Sequence, residues 1–218
     1  RKTDDIGTGV NTYVKLQDLV TSRIAKFNDA LNVIQQYAKN HTDPTQLGTD
    51  QPTEQTYLDL GITTVNSNNV KSMNSALATA AVTERQVASA QDVRNIVNAY
   101  NEILAAADNS ANGSTIKPAD YDLLGVTGVT GNAVKESLLS DVIDRKVFGD
   151  VNTIKEIQAL LNSVTAVIDA IAGGTLTKEQ LSGLGITGAT DANIALIINA
   201  IDKTKDDGTD VDTFIELQ

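Results

Sequence analysis

Hard oxygen ligands are the most conspicuous chemical groups in this chain, and they gather in two short stretches. Residues 206–212 carry Asp206, Asp207, Asp210 and Asp212, carboxylates of the kind that bind Ca2+. Their glycine, Gly208, is out of register for an EF-hand, and Asp210 stands where a helix N-cap belongs, so a solvated capping loop is the competing reading. Residues 108–113 open like an EF-hand loop, with oxygen side chains at alternate positions and Gly113 sixth. The twelfth position would be Ala119, which cannot supply the bidentate carboxylate that completes the coordination. The expectation is no resident cofactor, with Ca2+ at the four aspartates as the alternative.

Other motifs point to structure rather than chemistry. Gly125, Gly128 and Gly131 precede a helical stretch, as a phosphate-cradling loop would. No Lys-Ser/Thr pair follows, and the P-loop requires one. The lone histidine, His41, lies in a polar stretch with no serine or cysteine nucleophile arranged beside it, and the pair Asp4-Asp5 has nothing near it to raise one pKa. Tyr57 and Tyr121 hold one position that Leu181 holds later in the chain, which marks the position as core.

Composition excludes whole classes. The 218 residues carry 28 Asp and Glu against 17 Lys and Arg, a net charge of −11, and such a surface repels nucleic acid. The absence of cysteine removes disulfides, thiol catalysis and thiolate metal sites. No apolar run reaches the length of a membrane span. The chain opens on Arg1-Lys2-Thr3 rather than Met, so a piece of a longer protein is expected.

The elements that carry these residues recur. Tyr57-Leu-Asp-Leu-Gly61-Ile-Thr returns as Tyr121-Asp-Leu-Leu-Gly125-Val-Thr and as Leu181-Ser-Gly-Leu-Gly185-Ile-Thr, offsets of 64 and 60. A second string keeps the same offsets at Val87, Val151 and Val211, with an earlier copy at Val10. Two unrelated strings sharing both offsets imply a tandem array.

Each unit reads as helices. Ile154, Ile157, Leu161, Val164, Ile168 and Ile171 are spaced 3, 4, 3, 4, 3, one face of a long helix. Val93, Val97, Tyr100 and Leu104 repeat that face, as do Val20, Ile24, Phe27, Leu31, Ile34 and Ala38. A short helix follows each, with Thr177 and Gln180 at capping-box spacing in one copy. It closes at Gly61, Gly125 or Gly185, for which positive φ is expected. A third helix runs through Val70, Met73 and Leu77, then Val134, Leu138 and Val142, then Ile194, Ile198 and Ile201. The expected fold is all-α: three-helix-bundle repeats of about 60 residues, stacked into an elongated rod. Residues 1–51 hold a partial first repeat, 52–108 and 109–172 two full ones, and 173–218 a partial last one.

Leu184-Gly-Ile-Thr, the stretch 194–201 and the helix opening at Val211 resemble the albumin-binding-type (GA) three-helix module of bacterial surface proteins. The acidic, cysteine-free pattern is similar to the helical repeat regions of large bacterial adhesins. The resemblance implies a non-catalytic spacer or stalk in cell attachment, outside the cell or on the bacterial surface. The alternative it implies is a module gripping a host protein such as albumin. The expected partners are neighbouring repeats of the same chain and, under the alternative, a host or surface protein; the chain itself is expected to be a monomer. Loops between the short and third helices differ from copy to copy, as at residues 64–69, 128–133 and 188–193, which favours the spacer.

Overall fold

Helix starts are written into the sequence as hydroxyl N-caps. In the computed structural model, which describes residues 12–113, 116–204 and 207–218, the side chains of Thr12, Ser89 and Thr153 accept the backbone N–H three residues on. They open three long helices, α1 (Tyr13–Asn40), α4 (Ala90–Ala106) and α7 (Ile154–Ala170). Asp92 and Glu156 reach back to the cap backbone and complete capping boxes in α4 and α7. Lys15 stands at that place in α1, which has the cap alone.

A short helix follows each long one: α2 (Glu54–Asp59), α5 (Pro118–Leu123) and α8 (Lys178–Leu184). The box foreseen at Thr177 and Gln180 forms, with Thr177 N–H donating to Gln180 Oε1 at 2.8 Å. Third come α3 (Val70–Leu77), α6 (Ala133–Asp144) and α9 (Ile194–Ile201), and the last turn is α10 (Phe214–Leu217). The described residues form these ten helices, a short 3-10 turn at Phe148–Asp150 and an isolated antiparallel bridge between Asp108 and Val147, without strands. The fold is all-α, and among the described residues no helix is long and apolar enough to cross a membrane.

Each short helix ends in the same way. Gly61, Gly125 and Gly185 have φ of 75°, 74° and 100°. The N–H of the next residue (Ile62, Val126 or Ile186) donates at 2.9 Å to the carbonyl of Tyr57, Tyr121 or Leu181. The glycine N–H donates to Leu58, Asp122 or Ser182. This pair of bonds is the Schellman closure, which needs a left-handed residue. The apolar residues on either side of it, Tyr57 and Ile62 and their counterparts, are buried, each contributing roughly 1.5–3 kcal/mol to folding.

The short helices pack on the long helices that precede them: α2 on α1, α5 on α4 and α8 on α7. The boundaries drawn at residues 51, 108 and 172 therefore fall in loops that join packed helices. The third helices reach forward. Helix α3 packs on α1, α4 and α7, while α6 packs on α4, α7 and α10. Hydrogen bonds fix the longest of these reaches: Ile154 N–H donates to Ser75 Oγ at 2.8 Å, and Phe214 N–H to Asp141 Oδ2 at 2.6 Å. The guanidinium of Arg145 lies 4.6 Å over the Phe214 ring. One continuous apolar core results, running from Ala30 to Val211.

One expected face is only half buried. Ile34 and Ala38 of α1 are in the core, but Val20, Ile24 and Phe27 face solvent. The matching faces of α4 and α7 are covered by α3 and α6, whereas no third-type helix precedes α1 among the described residues.

Candidate functional site

The chemically suggestive residues are engaged in holding loops, each in its own place. His41 follows the last turn of α1, its ring stacked on Tyr37 at 4.4 Å. Nε2 lies 2.8 Å from Asp50 Oδ1 and Nδ1 lies 3.4 Å from the Gln46 carbonyl. The Tyr37 hydroxyl donates to the Leu47 carbonyl at 2.9 Å, and burial, then the Asp50 charge, pushes that phenol well above its ordinary pKa. Gly48 passes so close to the imidazole that a Cβ would stand 2.6 Å from Cε1. His41 is thus a clasp for the loop between α1 and α2. Among the described residues the contacts of its ring are with Tyr37, Gln46 and Asp50, not with a hydroxyl nucleophile of the kind that a general base activates.

The EF-hand-like stretch is fastened to α6. Asp108 Oδ1 accepts from Ser110 N–H at 2.9 Å, Asn109 N–H donates to the Lys146 carbonyl at 3.0 Å, and Gly113 N–H donates to Asp144 Oδ2 at 3.0 Å. Asp144 is 1 % exposed, and among the described residues its Oδ1 has no hydrogen-bond partner. No sequence signal marks this residue, because it continues the run that includes Val142 and Ile143, where an apolar side chain is the default.

Asp206 lies outside the described residues, as do Asp4 and Asp5. Asp207 Oδ1 is taken by Thr209, whose N–H and hydroxyl donate to it at 3.0 and 2.8 Å. Asp212 lies near Glu216 and Asp207; burial, then the Glu216 contact, raises its pKa. Carboxylates that raise one another's pKa are the raw material of a cation site. Among the described residues, though, no group of three or more His, Asp or Glu is placed to hold a metal ion.

At the glycine-rich turn the amides are met from within. Gly131 N–H donates to Glu136 Oε1 at 3.0 Å, and Asn132 Oδ1 accepts from Lys135 N–H at 3.0 Å. The Thr130 hydroxyl bonds Asp122 Oδ2 at 2.8 Å, and Val126 and Val129 are buried. Two carboxylates and an amide oxygen therefore stand where a phosphate would have to sit.

The same fastening, hidden in the sequence, recurs within the first and the last short-to-third loop. Asn69 accepts from Asn66 N–H at 2.8 Å and donates to the Thr64 carbonyl at 2.9 Å. Asn193 accepts from Thr190 N–H at 2.6 Å and donates to the Gly188 carbonyl at 2.8 Å. The signal was an asparagine one residue before each helix, hidden because the residues between differ. The surface clefts are open, and the one beside α8 is lined by Lys146, Glu156 and Glu179 among others, with the Lys146 ammonium spent on the Gly183 carbonyl at 2.7 Å. Compared with known proteins, the chain matches no family profile, no curated sequence and no solved structure.

Proposed function

We propose that the chain is a non-catalytic spacer: a tandem array of three-helix-bundle units, each about 60 residues long, stacked as a rod. Its setting in this reading is the stalk of a large bacterial surface or secreted adhesin, outside the cell, where it holds an attachment site away from its anchor. The observation that carries the reading is a contrast between inside and outside. Buried features recur at offsets of 64 and 60, namely the apolar pairs Tyr57 and Ile62, Tyr121 and Val126, and Leu181 and Ile186 that flank the closing glycines. Solvent-facing apolar side chains do not recur in every copy. Leu58 is exposed where the next copies hold Asp122 and Ser182, and Leu196 where the earlier ones hold Glu136 and Ser72. A shared ligand would need a shared surface; a stack needs only a shared core.

Small-angle scattering of the purified chain tests the shape, and an albumin pull-down tests the competing reading. An elongated particle without albumin binding is the expected result. A compact particle removes the spacer, and tight albumin binding replaces it with the host-protein module.

A further inference from the structure

Asp144 ends α6 as a buried carboxylate with one oxygen unused. It is 1 % exposed. Oδ2 accepts from Gly113 N–H at 3.0 Å, and among the described residues Oδ1 has no hydrogen-bond partner. Its two basic neighbours in sequence are spent elsewhere. Arg145 Nε lies 3.6 Å from Asp141 Oδ1, and Lys146 Nζ donates to the Gly183 carbonyl at 2.7 Å. A carboxylate is costly to bury unless it is paired or holds a metal ion, and an orphan oxygen on it calls for a cause.

The bond to Gly113 aims this carboxylate at a loop rich in oxygen. Residues 108–113 face solvent and carry the Asp108 carboxylate, the Asn109 and Asn112 amides and the Ser110 hydroxyl. Three of the loop's N–H groups are already engaged: Asn109 donates to the Lys146 carbonyl, Ser110 to Asp108 Oδ1 and Gly113 to Asp144 Oδ2. With those donors spent, oxygen is what the loop presents to a ligand. Asn109 and Ala111 have φ of 59° and 52°, and among the described residues no other non-glycine residue has positive φ. A left-handed alanine is strained, and such strain collects at ligand clamps.

We propose that the loop 108–113 and Asp144 together hold one Ca2+ ion. The loop opens as an EF-hand does, but its twelfth position is Ala119. Asp144 supplies from α6 the closing carboxylate that the loop's own sequence lacks. The donor set is two carboxylates, Asp108 and Asp144, completed by amide, hydroxyl and carbonyl oxygens rather than by a third acidic side chain. Ca2+ takes roughly six to eight oxygens of such mixed kinds in adaptable geometry, whereas Mg2+ demands a strict octahedron and keeps several waters. With only two charges among the ligands, the affinity belongs to the weak class, roughly 0.1–1 mM. Binding neutralises the buried charge and ties the connection between α4 and α5 to the end of α6.

Calorimetric titration and thermal melts of the full chain in CaCl2, MgCl2 or EDTA test it. The wild-type chain is expected to bind one Ca2+, to melt higher in Ca2+ than in EDTA, and to exchange the amides of 108–113 more slowly. Mg2+ at equal concentration is expected to do less. Asp144→Asn keeps an acceptor for Gly113 N–H, so it is expected to retain its helical circular dichroism and to lose the Ca2+ response. Asp108→Asn, at an exposed position, is expected to weaken binding at least about tenfold, and it decides the matter if Asp144→Asn fails to fold. Asp207→Asn/Asp212→Asn, which removes carboxylates at the α10 end, is expected to respond as wild type does. A wild-type chain without a response up to about 10 mM Ca2+, ten times the weakest affinity of this class, overturns the site. So does an equal response to Mg2+, or an affinity unchanged in Asp108→Asn. A response that survives in Asp144→Asn, or is lost in Asp207→Asn/Asp212→Asn instead, also overturns it and assigns the ion to carboxylates elsewhere on the acidic surface.

Discussion

The hydroxyl of Tyr57 donates to Oδ1 of Asn74 at 2.9 Å, joining α2 to α3 inside the core. Asn74 in turn donates to the Pro52 carbonyl at 2.8 Å, so both polar groups are satisfied at full burial. The next copy solves the same problem differently, with Tyr121 OH lying 3.1 Å from Ser140 Oγ. Where the third copy places Leu181, the positions matching Asn74 and Ser140 are Ile198 and Ala200. The polar partner disappears together with the phenol, as expected if a buried donor must have an acceptor.

Tyr57→Phe therefore strands the Asn74 oxygen in the core and is expected to cost about 1–3 kcal/mol in urea unfolding. Tyr121→Phe is expected to cost less, roughly 0.5–1.5 kcal/mol, because the half-buried Ser140 hydroxyl can turn to another acceptor. Equal losses at the two sites would mean that the Asn74 oxygen finds a new donor.

The closing glycines separate strain from close approach. At Gly61 an added Cβ meets nothing nearer than Arg94 Nη2 at 4.0 Å, whereas at Gly125 it would stand 2.5 Å from Thr79 Oγ1 and 3.1 Å from Ala81 Cβ. Gly61→Ala should cost about 1 kcal/mol for the left-handed backbone alone. Gly125→Ala should cost roughly 2–4 kcal/mol, because overpacking adds to strain. Thermal melts of both variants check the order, and a smaller loss at Gly125 would show that Thr79 swings freely out of the way.

Caps on the long helices should differ in weight with their burial. Thr153→Ala removes the acceptor for Glu156 N–H at the start of a helix whose first residues lie in the core. It is expected to lower global stability by about 1–2 kcal/mol. Thr12→Ala removes the same bond from a solvent-exposed turn and should raise amide exchange only in the first turns of α1. A global loss from Thr12→Ala would show that those turns are part of the cooperative core.

The readable part of the fold was that set by short-range chemistry. The capping box of Thr177 and Gln180 and the glycine closures follow from neighbours within a few residues, and the apolar spacing of α4 and α7 marks their buried faces. What could not be read depends on which helix lies across the gap. The same spacing that buries Val97 leaves Val20 in solvent, because the sequence of a helix does not say whether its partner is present. Asp144 was invisible for a similar reason: the bond it accepts comes from Gly113 N–H, 31 residues back. The loops before α3 and α9 look unlike because most of their six residues differ, while one side chain, Asn69 or Asn193, does the fastening.

Asp212 gives a pH signature at the α10 end. Its pKa is raised in the fold, first by burial and then by the hydrogen bond and charge of Glu216, with Asp207 adding to the repulsion. Glu216 is held there because it closes the capping box, its Oε2 accepting from Thr213 N–H at 3.2 Å. For a carboxyl whose folded pKa lies above its unfolded value, the fold favours the protonated form. Ionisation above the usual carboxylate range thus weakens the docking of α10, and protonation as pH falls through the raised value restores it. Asp212→Asn removes the charge at all pH values. Amides of Phe214–Leu217 should then exchange more slowly than wild type at neutral pH, and the two proteins should converge in acid. Faster exchange in Asp212→Asn at neutral pH would show instead that the ionised carboxylate holds the turn together.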